Sequence, residues 1–243
     1  MIKIERTQPE PQGLAAQREC GRTYNIKSVR EQLWRDFYGK CYICGASVES
    51  GSDIEHLRPH HGANDEIGKQ RKYDWDNLFL SCPNCNKIKN RGEFEENIID
   101  CCREDPEKQV RQEVGHGRIQ VKPRKNASDP LQAAATAKLI DACFNFKADS
   151  QAAENCRRKR WELKCMAIDL CKKLRHYRAL RDDSKTRCSS SDLARAREAV
   201  EDMIDPQSEY AAFMRTIVRD RLDMFREFED IVGTDPDKEV CNG

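Results

Sequence analysis

Apolar positions follow several different spacings along the chain. Ile2 and Ile4 alternate with charged neighbours, the two-residue period of a short strand. Pro9, Pro11 and Gly13 then mark a loop. Val29, Leu33, Trp34 and Phe37 recur at helical spacing, Ser28 with Glu31 predicts a capping box, and Gly39 predicts the helix end. From Cys41 to about Phe94 long periodicity disappears, and the segment predicts two short strands, a loop and a short helix. Asp105-Pro106 and the stretch from Gly115 to Pro123 predict irregular structure with one short strand at Ile119 to Val121. Ser128-Asp129-Pro130 predicts a helix start with proline in its first turn. The pattern is then helical almost to the end. Leu163, Ala167, Leu170, Leu174 and Tyr177 form one stripe; Tyr210, Phe213, Ile217, Leu222, Phe225 and Phe228 form another. Breaks are expected at Cys188 to Ser191 and at Asp205-Pro206.

Composition narrows this picture. At about 100–200 residues per domain, 243 residues predict one or two domains. With 35% charged and 38% hydrophobic residues, exposed helices around a modest core are expected rather than a large buried sheet. A net charge of +1 excludes a polycation that grips nucleic acid by bulk charge. Charge is unevenly spread, however. Arg157, Arg158, Lys159 and Arg160, then Lys172, Lys173, Arg175, Arg178 and Arg181, make a basic stretch, whereas Glu198, Glu201, Asp202, Asp205, Asp235, Asp237 and Glu239 make the end acidic.

The first residues carry no apolar stretch of a signal peptide and no uncharged run is long enough to span a bilayer, so a cytoplasmic, membrane-free protein is expected. In a reducing compartment, the 13 cysteines favour metal ligation over disulfides. Cys41-x2-Cys44 and Cys82-x2-Cys85 are two knuckles, each able to turn two thiolates to one ion, and together they predict a tetrahedral Zn²⁺ site. Four thiolates leave no open coordination position, so this zinc is structural. A redox pair is the competing reading of either knuckle alone. Cys143, Cys156, Cys165 and Cys171 fall in helical patterns and are expected as small buried apolar residues.

Around the knuckles stand Glu55-His56, Asn77-Leu78, and Cys82-x2-Cys85-Asn86 followed by Lys89. This order resembles the HNH (ββα-metal) endonuclease superfamily. The finer pattern Glu-His-x-x-Pro, Trp-x-Asn-Leu and Cys-x2-Cys-Asn is similar to the HNH subunit of Septu-type and retron-associated anti-phage defence systems. Lys3-Ile4-Glu5-Arg6, Ile99-Asp100 and Asp105-Pro106 look like that family too, so the likeness covers roughly the first two-fifths of the chain. It implies a zinc-stabilised ββα-metal module over residues 1–106; with an irregular connector over 107–127 and, from periodicity, a mainly helical region over 128–243 for partner docking or nucleic-acid binding, the expected fold class is α+β.

The chemistry fits the residue types. A neutral imidazole can deprotonate water near neutral pH, which makes His56 the candidate base. Glu55 and Asn86 are candidate ligands of a catalytic divalent cation. On a strand, Glu55 and His56 point to opposite faces, and the resemblance alone implies the twisted hairpin that brings both to one phosphate. Asn77 is expected to hold the loop that orients the base, and Lys89 to contact phosphate or developing charge. Glu55 stands where many family members carry Asp, and Asn86 where many carry His; an amide oxygen favours Mg²⁺ or Mn²⁺. Asn90, one helical turn from Asn86, could face the same ion or serve a cap. His60 and His61 stay open between phosphate contact and solvated loop. His116 and His176 have no neighbouring ligand pattern.

The helical half has no P-loop. The resemblance implies that an ABC/SMC-like ATPase subunit accompanies the nuclease, with Trp161 and Tyr177 as candidate anchors on the basic helix. A phosphate-gripping helix and a plain solvated face are the alternatives. DNA is the favoured substrate and RNA is not excluded. A zinc-stabilised nucleic-acid-binding or interaction module without cleavage is the competing class.

Overall fold

The computed structural model describes residues 1–48, 51–92, 94, 97–115, 118–147, 150–182, 189–234 and 236. The first half contains α1 (Leu14–Glu19), α2 (Lys27–Asp36), β1 (Asp53–His56), α3 (Glu66–Tyr73), β2 (Leu78–Ser81) and α4 (Pro83–Lys89). There follow α5 (Pro106–Gln109), β3 (Val110–Val114), β4 (Ile119–Pro123), α6 (Pro130–Asn145), α7 (Ser150–Asp182), α8 (Ser190–Ile204), α9 (Ala211–Arg219) and α10 (Leu222–Val232). The fold is a mixed α+β one with a mainly helical second half.

β1 and β2 form an antiparallel hairpin in the register Asp53↔Ser81 to His56↔Leu78, and α4 follows at once. α4 starts where the sequence demands. Cys82 is its N-cap, its sulfur accepting from the Cys85 N–H at 3.4 Å, and Pro83 takes the first turn, where no amide donor is needed. The connection between the strands is more ordered than the expected loop. It contains α3, whose cap Asp65 accepts from the Gly68 N–H at 2.6 Å.

Ile2 and Ile4 do not form a strand. Ile4 donates one backbone bond to the Cys101 carbonyl, and the segment is held instead by side chains and by its amino group. The Met1 amine donates to Gln112 Oε1 at 2.9 Å. Arg6 donates to the carbonyls of Trp75 and Leu78, both at 2.8 Å, and lies 4.7 and 4.8 Å from the ring centroids of Trp75 and Phe79. The N-terminal segment therefore straps the hairpin. The capping box at Ser28 is also absent: α2 begins at Lys27 without a side-chain cap, and Ser28 Oγ donates to the Gln12 carbonyl. Gly39 ends the turn after α2 with φ +61°, where a Cβ would meet the Trp34 indole at 2.8 Å.

The stretch expected to be irregular forms α5 and a second antiparallel hairpin, β3–β4, paired from Val110↔Pro123 to Val114↔Ile119. Gln112 disguises it, because an inward position carries an amide. That amide is satisfied by Met1, donating to its carbonyl at 3.0 Å. His116 lies outside the described residues, as do Cys188, Asp235, Asp237 and Glu239.

One continuous apolar core joins both halves, from Leu33, Phe37 and Phe79 to Phe144, Leu163, Phe213 and Phe228. The stripe Leu163, Ala167, Leu170, Leu174 and Tyr177 is buried along α7 as expected, while in the later stripe Leu222 is 63% exposed. Tyr177 cannot serve as a surface anchor: it is 4% exposed and donates to Glu227 at 3.0 Å. Trp161 stands out at 71% exposure. Cys143 and Cys156 are buried and Cys171 half-buried, but Cys165 is on the exposed face. A buried ionic cluster locks α9 to α5, with Arg219 and Arg215 on Glu107 at 2.7 and 3.0 Å. Ser189 caps α8 with Asp192 in a capping box, and Asp205 ends it.

Candidate active site and metal centre

The two knuckles meet. The sulfurs of Cys41, Cys44, Cys82 and Cys85 all lie within 4.8 Å of one another. A tetrahedral Zn²⁺ with bonds of about 2.3 Å needs sulfurs about 3.8 Å apart, so the set fits. Gly45, at φ +77°, turns the chain directly after Cys44, and its N–H donates to the Cys41 carbonyl at 2.8 Å. The helical half closes over this centre. The buried amine of Lys159, on α7, lies 3.2 Å from Cys85 Sγ. Burial opposes its charge, but the thiolates of Cys44, Cys85 and Cys82 outweigh burial and raise its pKa. On the other side, the Tyr210 N–H donates to the Gly45 carbonyl at 3.0 Å, and Lys40 Nζ to the Ser208 carbonyl at 2.9 Å.

His56 ends β1. Its Nε2 is 3.1 Å from the Lys72 carbonyl. A carbonyl only accepts, so Nε2 carries the proton of the neutral ring and Nδ1 keeps the lone pair. Burial lowers the pKa of His56 to about 4, so the ring is neutral at pH 7. Asn77 stitches the flanking loop: its amide donates to the carbonyls of Arg58 and Arg71, both at 2.9 Å, and its Oδ1 accepts from the Arg58 N–H at 2.8 Å.

Glu55 and Lys89 form a buried ion pair. Glu55 Oε1 accepts from Lys89 Nζ at 2.6 Å, and Oε2 from the Tyr42 hydroxyl at 2.6 Å. Their side chains are 2% and 1% exposed. Burial raises the Glu55 pKa and Lys89 pulls against it. Lys89 also donates to the His56 carbonyl at 2.9 Å, so it cross-links α4 to the strand that carries His56. Asn86 donates to Asp53 Oδ2 at 2.8 Å and accepts from Asn90 at 2.8 Å.

Glu55, His56, Asn86 and Asn90 line one open cleft of about 330 Å³, together with Tyr24, His60 and His61. His56 sits between two ring edges, Tyr24 at 4.7 Å and His60 at 4.5 Å between centroids. The Glu55 oxygens are taken by Lys89 and Tyr42 and the Asn86 amide by Asp53 and Asn90, so an ion here would use their remaining lone pairs. Glu55 would share its charge between that ion and Lys89.

Sequence reasoning missed three of these residues. Tyr42 was hidden as a spacer within a knuckle. Asp53 stands two positions before Glu55 on the same strand face, a signal that was available. Tyr24 arrives from the α1–α2 connection and carries no local motif.

Residues 41–92 match the family model of the HNH endonucleases. The chain is also similar to the Septu protein PtuB of Bacillus mycoides (strain KBAB4), at 33% identity over 81 residues. The alignment covers 29% of this chain and 28% of that protein's length. No solved structure matches. Among the described residues, no helix is long and apolar enough to cross a membrane. The hairpin, α4 and the paired knuckles thus make residues 41–92 an HNH domain, set within a chain whose remainder this family match does not reach.

Proposed function

We propose that the chain is a divalent-cation-dependent HNH endonuclease that hydrolyses phosphodiester bonds, preferentially of DNA. The observation that carries this reading is the contact of His56 Nε2 with the Lys72 carbonyl, which leaves Nδ1 as the basic nitrogen of a ring in the cleft. His56 lines that cleft with Glu55 and Asn86. His56 Nδ1 takes a proton from the attacking water. Asn77 fixes the loop on which that base depends, and Lys89 fixes the carbonyl of His56 and neutralises Glu55. This gives Lys89 a positioning part in place of the phosphate contact expected from sequence. Glu55 and Asn86 would hold Mg²⁺ or Mn²⁺, which supplies charge neutralisation at the phosphate and the departing 3′ oxygen.

The likeness to a Septu protein supports a place in prokaryotic anti-phage defence, as effector subunit beside an ABC/SMC-like ATPase. The exposed Trp161 on α7, with Arg157 and Arg158 nearby, supports a docking role for the helical half. The test is cleavage of supercoiled plasmid and of RNA by the purified full chain, with Mg²⁺ or Mn²⁺, alone and with the ATPase. Divalent-dependent nicking of DNA is expected. Intact DNA and RNA under every condition would defeat the nuclease reading; cleavage of RNA alone would change the substrate.

A further inference from the structure

We infer that His60 is a substrate-contacting residue of this cleft, donating a hydrogen bond to the phosphate on which His56 acts. The inference rests on the nuclease reading and adds a binding residue to it.

Position comes first. The His60 ring meets the His56 ring edge-on, with centroids 4.5 Å apart and planes at 71°. A phosphate within reach of a water activated by His56 is therefore within reach of His60. Both rings line the cleft that Asn86 closes from α4.

The second observation is an unmet hydrogen-bonding capacity. His60 Nδ1 is buried and has no partner. Nδ1 is too enclosed to meet a phosphate itself, so the donor to the cleft is the ring's other nitrogen, as Nε2–H.

The third is strain kept in place by packing. The three residues after His60 have left-handed backbones: His61 at φ +45°, Gly62 at +75° and Ala63 at +58°. The Ala63 N–H donates to the His60 carbonyl at 2.7 Å, and Arg71 donates to the Pro59 carbonyl at 3.1 Å. Gly68 of α3 presses so close that a Cβ there would meet the His60 carbonyl oxygen at 2.5 Å. A side chain on residue 68 would push the loop off α3, so a glycine keeps His60 beside His56.

Burial, then the charge of Lys72, lowers the His60 pKa below its ordinary value. The neutral ring keeps one N–H donor, which suits a non-bridging phosphate oxygen.

A packing role for the ring predicts something different, and two substitutions separate them. His60→Phe keeps a flat ring against His56 and removes the donor. His60→Gln removes the ring and keeps a donor. Binding of a labelled DNA duplex is measured with His56 intact and no Mg²⁺ or Mn²⁺ added, so that nothing is cut, alongside melting temperature and zinc content. Steady-state cleavage is measured for the same substitutions with His56 intact. We expect His60→Phe to weaken binding and raise KM about tenfold, and His60→Gln to recover part of that loss. Unchanged binding by His60→Phe overturns the inference. So does an equal loss in both variants with a lowered melting temperature, which assigns the ring to packing. Cleavage by the wild-type chain with unchanged kinetics for His60→Phe defeats this inference alone; no cleavage by the wild-type chain defeats the nuclease reading and His60 with it.

Discussion

At His56 a main-chain carbonyl holds Nε2 and leaves Nδ1 as the basic nitrogen, and burial decides the ring's charge. With its pKa lowered to about 4 against an ordinary value near 6.5, the folded chain refuses a proton that the unfolded chain accepts between those values. Stability from this residue is complete above about pH 6.5 and declines as pH falls towards 4. Urea midpoints at pH 7 and pH 5 should therefore differ less in a His56→Gln variant than in the wild type; equal differences would contradict the burial argument. Glu55 and Lys89 obey a second residue-scale rule. Removing one partner of a buried ion pair strands the other, at about 3–5 kcal/mol. Lys89→Met should lose stability of that order, and Glu55→Gln with Lys89→Met should lose less than the sum of the two. Additive losses in urea unfolding would show that the pair is not coupled. The chemical identities of Glu55, His56, Asn77 and Asn86 were legible in sequence because each belongs to a motif. The Lys72 carbonyl, Tyr42 and Tyr24 were not, because a backbone acceptor, a hydroxyl donor to Glu55 and a ring beside His56 are brought in by tertiary folding.

Among the elements, α4 carries the most functions for its length. Cys82 caps it, Cys85 completes the knuckles, Asn86 lines the cleft and Lys89 reaches β1. Cys82→Ser retains an oxygen for the cap and loses a thiolate. It should lower zinc stoichiometry from one per chain and destabilise the hairpin, since a structural zinc contributes folding free energy directly. Retention of one tightly held zinc with unaltered unfolding would sink the four-cysteine centre. The hairpin and α4 were readable because turns, cysteines and a helix-starting proline punctuate them. β4 was read as a short strand at Ile119 to Val121, but its partner β3 was not, because Gln112 occupies an inward position and finds its partner in Met1, 111 residues away in sequence. The missing strand at Ile2 and Ile4 fails for a related reason: alternation predicts an extended chain, but Arg6 and the Met1 amine take the roles that strand pairing would fill.

For the whole molecule, the continuous core and the contact of Lys159 with Cys85 make the helical half a support for the metal centre. Its outward face is free for other work. Arg157 and Arg158 are exposed and pair along α7 with Glu154 and Glu162. Arg160 instead donates to the Phe144 carbonyl, so it belongs to the packing. Reversing Arg157 and Arg158 to Glu should weaken co-purification with the proposed ATPase more than it weakens nucleic-acid binding by the chain alone. The opposite ranking, with a shallower salt dependence of binding, would make α7 a phosphate-gripping surface. The periodicity of α7 was plain in sequence and put Tyr177 in the inward stripe, so of the two candidate anchors Trp161 alone is exposed. The central claim concerns the cleft, and one measurement bears on it most directly: the Mn²⁺-dependent rate of plasmid nicking by His56→Ala relative to the wild-type full chain, at matched zinc content and melting temperature. The account predicts a fall of at least about a hundredfold, the usual range for loss of a general base. A variant that is folded, zinc-loaded and cuts at the wild-type rate would contradict it.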